Sequence, residues 1–213
     1  MNAQTERFTI SGPAGLLEVA RDLAAAPDGV VRGTAVIAHP HPLFAGTMDN
    51  KVVQTLARAF VQSGWNALRF NFRGVGQSAG EYDAGNGERD DFLAVVQQLA
   101  PEGPLALAGF SFGSFVMSHA LTALWGERSI DKVVLVGTAA SRFTVATLPP
   151  EAHERTLVIH GEADAAGRCD GLGPATDTPC HSRARRQPFF PRTIAAAQRL
   201  GGAPPERSRI NCY

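Results

Sequence analysis

Short apolar runs alternate with amphipathic segments up to about residue 164, and this alternation restricts the possible folds more than any other feature of the sequence. The runs TAVIA at 34–38 and LALA at 105–108 have the length and continuous hydrophobicity of strands that are covered on both faces. Between them, the segment 49–63 has apolar residues at helical spacing, with Asp49 or Asn50 as its N-cap. This order predicts a mostly parallel, doubly wound α/β sheet.

The predicted elements occupy the first three quarters of the chain. With 213 residues the chain is long enough for one compact α/β domain and too short for two ordinary ones. We predict strands at 34–38, 65–72, 105–108, 132–136 and 157–159, helices at 49–63, 88–99 and 115–124, and an antiparallel edge hairpin within 9–23.

Composition and charge exclude several functional classes. The chain has zero formal net charge, 44% hydrophobic and 19% charged residues, which is typical of a soluble globular protein. We therefore expect no nucleic-acid partner, and the apolar stretches are broken well short of a membrane span. The first ten residues lack the apolar core of a secretory signal, which favours a cytoplasmic location. Composition and charge do not indicate a particular oligomeric state.

The pentapeptide Gly109-Phe110-Ser111-Phe112-Gly113 lies between a predicted strand and a predicted helix, the context in which a G-x-S-x-G match indicates a nucleophile. Ser111 must occupy a sharp, strained turn that exposes its Oγ at the carboxyl edge of the sheet. Glycine on either side removes the Cβ atoms that would collide with the neighbouring strand and helix. The backbone N–H of Phe112, at the start of the helix, is the expected oxyanion donor.

A second oxyanion donor is expected from the loop His39-Pro40-His41-Pro42-Leu43, which follows the strand at 34–38. Both prolines lack an N–H, so the donor must be the N–H of His41 or of Leu43. The position of His41 in the loop makes it the preferred candidate. The H-x-H spacing also suggests a metal pair, but no local acid or Cys joins it, and a loop stiffened by prolines is the better interpretation. Neither imidazole is the expected base, because both lie on the oxyanion side.

The acid that would orient a histidine base is expected after the strand at 157–159. Where the nucleophile occupies such a turn, the acid follows it in the sequence and the histidine comes last. Asp164 has this position, with Glu162 as the alternate. His160 is adjacent, but a histidine at a strand end before Gly is more often packed than catalytic.

Four ordered segments give the chain a resemblance to a known family. It resembles the small, cap-less bacterial α/β hydrolases that are related to dienelactone hydrolases and serine aminopeptidases. The resemblance implies the α/β-hydrolase fold, a Ser-Asp-His triad, no cofactor, and hydrolysis of a small ester or related acyl substrate. It covers about residues 8–164, in the segments AHPHPLFAGTMDNKVV, LRFNFRGVGQSAGEYDAGNGERDD, LALAGFSFG and LVIHGEAD.

The resemblance also implies a final strand and a loop of the form PG-x-x-H-F-F, whose histidine is the general base. No such segment follows Asp164, and residues 167–213 contain a single histidine, His181, in the stretch CHSRARRQP. We therefore expect an incomplete hydrolase core at 1–166 that lacks its last strand and its base. Residues 167–213 are expected to be an irregular Arg/Pro-rich tail and not a domain.

An out-of-frame translation would explain this tail. Arg outnumbers Lys eighteen to two, which indicates a GC-rich gene, and residues 167–213 hold eight Arg, six Pro and all three Cys. Shifted forward by one base from Gly167, with permitted third bases, the tail can be translated to include VVPG, one free position and SHFFHG. The missing histidine codon would then straddle Pro188 and Phe189.

Two functions follow from this sequence. The first is a serine hydrolase that works through Ser111 and Asp164, with His181 or His160 as the candidates to replace the missing base. The alternative is a catalytically inactive, truncated or frameshifted protein of the hydrolase fold. Nucleic-acid binding through Arg183, Arg185 and Arg186 is disfavoured, because the cluster lacks interleaved aromatic residues and any recognised module.

Overall fold

Within the described residues, a seven-stranded sheet with helices on both faces forms the body of the protein. The computed structural model describes residues 5–26 and 29–160. The strands lie in the order β1-β2-β4-β3-β5-β6-β7, with β1 and β2 antiparallel and the pairs from β4 to β7 parallel. The strands are β1 Glu6–Gly12, β2 Gly15–Asp22, β3 Thr34–Ala38, β4 Asn66–Phe70, β5 Leu105–Phe110, β6 Ile130–Val136 and β7 Thr156–Ile159, and the helices are α1 Lys51–Gln62, α2 Asn86–Leu99 and α3 Phe112–Leu124.

The predicted elements are confirmed, with several boundaries shifted by one to three residues. The edge hairpin begins at Glu6 rather than at residue 9. Helix α3 begins at Phe112 rather than at residue 115, because Gly113 adopts helical geometry inside its first turn. Strand β4 ends at Phe70 rather than Phe72, since the Phe72 N–H donates to the His39 imidazole, at 3.0 Å, and leaves the ladder.

Side chains alternate between two hydrophobic layers along the central strands, as strand geometry requires. In β3, Val36 and Ala38 join the layer of α2 and α3, while Ala35 and Ile37 join the layer of α1. Helix α1 begins where Asn50 caps it, with Oδ1 accepting the Val52 N–H at 2.9 Å. Burial on both faces explains why the strands are continuous apolar runs.

The parallel centre of the sheet brings two loops to the same edge. Strands β3 and β5 are neighbours, with Ala38 paired to Gly109, so the segments that follow them emerge side by side. The loop after β3 contains His41, and the turn after β5 contains Ser111. This placement follows from the switch in strand order between β3 and β5.

Several sequence predictions fall outside the described residues. Glu162, Asp164 and His181 lie there, as does the whole of 167–213. Within the described part of the chain, β7 is the last strand of the sheet. The loss of a final strand and the boundary at residue 166 therefore stay predictions. Among residues 5–26 and 29–160, no helix combines the length and hydrophobicity needed to cross a bilayer.

Candidate active site

Ser111 lies on a strained turn between β5 and α3. Its backbone has φ 55° and ψ −118°, a conformation that L-residues rarely adopt. The Ser111 N–H donates to Val136 O at 2.8 Å, which ties the turn to the end of β6. A serine held in such a turn, with strand before and helix after, has the geometry of a nucleophile elbow.

The two glycines of the pentapeptide are required by close backbone approaches. A Cβ on Gly109 would lie 2.4 Å from Gly113 O, inside the following helix. A Cβ on Gly113 would lie 2.5 Å from the carbonyl oxygens of both Ala38 and His39, at the end of β3. The expectation that these glycines relieve collisions with strand and helix is confirmed.

Ser114 also supports the turn, and sequence reasoning missed it. This fully buried hydroxyl donates to Gly109 O at 2.7 Å and accepts the Val136 N–H at 3.3 Å. It therefore links β5, α3 and β6 directly behind Ser111. A polar residue three positions after the nucleophile, within the first turn of the helix, was the available signal.

Helix α3 supplies a backbone donor beside Ser111. Phe112 is its first residue, and the first N–H groups of a helix have no intrahelical acceptor. Ser111 O accepts the Ser114 N–H at 2.9 Å, so the hydrogen-bonding of the helix begins only there. The N–H of Phe112 is thus available to a developing oxyanion.

Three N–H groups of the loop after β3 donate hydrogen bonds to His41. The N–H groups of Phe44 and Gly46 donate to His41 O at 3.1 and 3.0 Å. The Leu43 N–H donates to His41 Nδ1 at 3.2 Å, at the start of a 3-10 helix, Pro42–Phe44. Leu43 is therefore engaged, whereas the His41 N–H has no acceptor among the described residues, and His41 is the stronger candidate donor.

The imidazole of His39 is a structural group. It is fully buried, and burial lowers its pKa to about 4, although a hydrogen bond to Pro40 O opposes this. Nε2 accepts the Phe72 N–H at 3.0 Å, so Nδ1 carries the proton and donates to Pro40 O at 2.6 Å. Both ring nitrogens are thus occupied, in agreement with the expectation that His39 is not the base.

The imidazole of His41 is likewise engaged at both nitrogens. Its Nε2 lies 3.2 Å from the Tyr82 hydroxyl, opposite the contact from Leu43. Burial lowers the pKa of His41; the Glu88 carboxylate acts against this and the Arg142 guanidinium acts with it. The ring is therefore neutral at pH 7 and has no free lone pair with which to deprotonate Ser111.

No imidazole in the described part of the chain forms a hydrogen bond with Ser111. His119, in the middle of α3, contacts Thr144 O at 3.0 Å. His160 directly follows β7 and has no hydrogen bond within that part. The structure brings together the turn that carries Ser111 and the loop after β3, while Asp164 and His181 lie outside the described residues.

Two buried acids hold the segment that carries Tyr82. Glu88 is fully buried, and its carboxylate accepts the Asp83 and Gly85 N–H groups at 2.9 and 2.7 Å. Asp91, also fully buried, pairs with Arg73 through contacts of 2.8 and 3.1 Å. These bonds fix the segment that carries Tyr82 beside the loop after β3.

Aromatic rings surround the turn. The ring of Phe112 packs against His41 and Phe143 at centroid distances of 4.8 and 5.2 Å. Beside them, Leu43 and Phe44 are 67% and 59% exposed, which is unusual for large apolar side chains. Exposed apolar side chains thus lie on the loop that carries His41.

Comparison with known proteins agrees with this geometry. Residues 45–158 match the model of the family described as serine aminopeptidase, S33. The chain belongs to this family. It is similar to a lid-less α/β serine hydrolase from Xanthomonas campestris, with 39% identity, a TM-score of 0.66, and coverage of 76% of this chain and 73% of the other. The α/β-hydrolase fold and the expected family are thereby confirmed.

Two curated relatives match a smaller region. An uncharacterized protein of Rickettsia prowazekii is 40% identical over 110 residues, 50% of this chain and 45% of its own length. The human mitochondrial palmitoyl-protein thioesterase ABHD10 is 36% identical over 86 residues, 39% of this chain and 26% of its own length. The chain thus spans less than half the length of either curated relative.

Proposed function

We propose that this protein is a serine hydrolase of small esters or related acyl compounds, with Ser111 as the nucleophile. The proposal applies to the chain whose reading frame is restored from residue 167, if the present chain lacks its base. The observation that carries the proposal is the strained Ser111 backbone, φ 55°, at the junction of β5 and α3. A non-glycine residue held in this conformation by its surroundings is a feature of functional sites.

The proposed chemistry is acyl transfer. Ser111 Oγ bonds to the acyl carbon while its proton passes to a histidine base, and the carbonyl electrons move onto oxygen. The N–H groups of Phe112 and His41 bind that oxyanion. The leaving group then departs with the proton, and water hydrolyses the acyl-enzyme by the same steps. Asp164, or Glu162 in its place, orients the base.

The substrate is proposed to carry a small apolar acyl group. The exposed side chains of Leu43 and Phe44 lie on the same loop as the proposed donor His41 and offer apolar contact area. The family description names an aminopeptidase and the human relative a thioesterase, and both reactions attack an acyl carbon. An oxygen ester or thioester of a short acyl chain fits these observations. A cytoplasmic location stays a prediction.

The second candidate function is a chain without catalytic activity. It is favoured because all four ring nitrogens of His39 and His41, on the loop after β3, are occupied. On this proposal, residues 167–213 are a frameshifted product that omits the histidine loop. A serine without a base retains only the contribution of the oxyanion donors and substrate binding.

Labelling with a fluorophosphonate probe separates the two functions. The full chain, its Ser111→Ala variant and a Ser129→Ala control would be treated with the probe, and the adduct located by mass spectrometry. An active hydrolase labels at Ser111, equally in the control and not at all in Ser111→Ala. A full chain that does not label, beside a frame-restored chain that labels at Ser111, supports the inactive form. Absence of labelling at Ser111 in both chains contradicts the nucleophile assignment.

A further inference from the structure

We propose that the imidazole of His41 is a positioning group for the oxyanion-binding loop, an inference that rests on the function proposed above. The side chain acts separately from the backbone N–H of the same residue. It fixes the loop after β3 in the one arrangement that leaves that N–H available, and it connects the loop to the nucleophile turn.

The ring caps a short helix. His41 precedes the 3-10 helix Pro42–Phe44 with φ −55° and ψ 124°, and its Nδ1 accepts the Leu43 N–H. This is the hydrogen bond that an N-cap side chain makes to the residue two positions on, and histidine replaces the usual Asn, Asp or Ser. The cap removes Leu43 from the set of possible oxyanion donors.

This contact also fixes the tautomer. An N–H donates to Nδ1, so Nδ1 carries a lone pair, and the neutral ring must be protonated at Nε2. The Nε2–H then donates to the Tyr82 hydroxyl oxygen, 3.2 Å away. Tyr82 is in turn held by the segment that Glu88 anchors. The ring therefore links its own loop to the beginning of α2.

Aromatic contacts place the same ring against the other oxyanion donor. Its centroid lies 4.8 Å from that of Phe112 and 4.9 Å from those of Phe44 and Tyr82. Phe112 follows Ser111 directly and supplies the first N–H of α3. One side chain thus sets the distance between the two backbone segments that bind the oxyanion, which catalysis requires to be accurate to a fraction of an ångström.

Two substitutions remove the imidazole ring but differ in whether an N-cap acceptor for the Leu43 N–H remains. In His41→Asn the Oδ1 atom can still accept the Leu43 N–H, since Asn is among the best N-caps. In His41→Gln the longer side chain loses that geometry but retains a polar group toward Tyr82. His119→Gln is the control, because this imidazole also contacts a backbone carbonyl but lies away from the loop.

The first measurements need no catalytic activity. In the full chain labelled with ¹⁵N-histidine, long-range ¹H–¹⁵N spectra at pH 7.5 should show His41 as the Nε2-protonated tautomer, assigned by its loss in His41→Asn. Exchange of the Leu43 amide proton should accelerate at least tenfold in His41→Gln and less than threefold in His41→Asn and His119→Gln. An Nδ1-protonated ring, or equal acceleration in both His41 variants, would overturn the capping role.

The last measurement tests positioning. In whichever chain labels at Ser111, His41→Gln should slow fluorophosphonate labelling by tenfold or more, while His41→Asn retains at least a third of the rate. Equal losses in the two variants would show that the ring acts by bulk alone. If Ser111 labels in no chain, the proposed function fails, whereas the amide exchange and the tautomer still decide the capping role.

Discussion

At the scale of single residues, Ser111 stores strain that its neighbours maintain. Its N–H is held by Val136 O, and close-packed glycines lie two positions away on either side. A non-glycine residue in a sparsely populated backbone region costs of order 1–3 kcal/mol, which folding must supply from elsewhere. The strained backbone conformation is what exposes the Ser111 hydroxyl at the carboxyl edge of the sheet.

We expect Ser111→Gly to be more stable than Ser111→Ala by up to about 1 kcal/mol, because only glycine adopts this backbone without strain. Urea unfolding of both variants measures the difference. Ser63, with φ −90°, is the control position. There Ser63→Ala should be more stable than Ser63→Gly, since glycine only adds entropy to the unfolded chain. A Ser111→Gly variant less stable than Ser111→Ala would argue against strain at the turn.

Burial of His39 makes stability depend on pH. Its folded pKa of about 4 lies below the ordinary value of 6.5, so between these values the unfolded chain binds a proton that the folded chain does not. Stability should therefore be complete above pH 6.5 and decline as pH falls toward 4. From pH 7 to pH 5 the loss is about 2 kcal/mol for this group.

The matched variant is His39→Gln, whose side-chain carbonyl can still accept the Phe72 N–H. It should be less stable than the parent at pH 7 but lose clearly less stability between pH 7 and pH 5 in urea unfolding. Part of the dependence will persist, because burial lowers the pKa of His41 in the same direction. Identical pH dependence in parent and variant would assign the effect to other groups.

At the scale of elements, α3 and β3 approach so closely that helix propensity no longer decides the residue at position 113. Propensity alone favours Ala over Gly inside a helix by about 1 kcal/mol. The Ala38 and His39 carbonyl oxygens, 2.5 Å from the Cβ that Ala would add, oppose it. Both oxygens are backbone atoms of the sheet and cannot move aside without distorting β3.

We expect Gly113→Ala to be destabilised by roughly 1–3 kcal/mol or more, the usual effect of overpacking, as measured by urea unfolding. Thr122→Ala is the control, because it is exposed on the same helix and should gain a few tenths of a kcal/mol from propensity. Stabilisation at both positions would mean that α3 does not pack on β3 as closely as the structure shows.

At the scale of the whole molecule, the decisive question is whether the body has its final strand and its base. We predict that both belong to the region after residue 160, where the sequence from Gly167 onward lacks the expected histidine loop. A parallel sheet that ended at β7 would expose an unpaired edge, which promotes association. We propose that restoring the reading frame from residue 167 supplies the missing strand and histidine.

The role of Asp164 should therefore depend on the tail. In the frame-restored chain, Asp164→Asn should reduce ester hydrolysis by a factor on the order of 10³–10⁴, because the acid orients and stabilises the histidine. In the present chain the same substitution should have little effect. Hydrolysis of a short-chain p-nitrophenyl ester by the four proteins measures both effects. A large loss in the present chain would show that a working base exists, with His181 the first to test.

The family, the fold and the position of Ser111 were predictable because their signals are local. Strand length, helical spacing, and two glycines around a serine are each contained within about a dozen residues, where backbone sterics act directly. The hairpin, the central strands and the three helices were all found in this way. Their ends shifted by a few residues where a distant group intervened, as His39 does at Phe72.

Only the tertiary structure decided how the site is held. The choice between Leu43 and His41 as donor depends on the rotamer of one imidazole, whose Nε2 lies 3.2 Å from the hydroxyl of Tyr82, 41 residues away. Ser114 meets Val136 across 22 residues, and neither contact has any periodicity or spacing in the sequence. Hydrogen bonds between remote segments are set by how the sheet edge brings loops together, and this geometry exists only after the chain has folded.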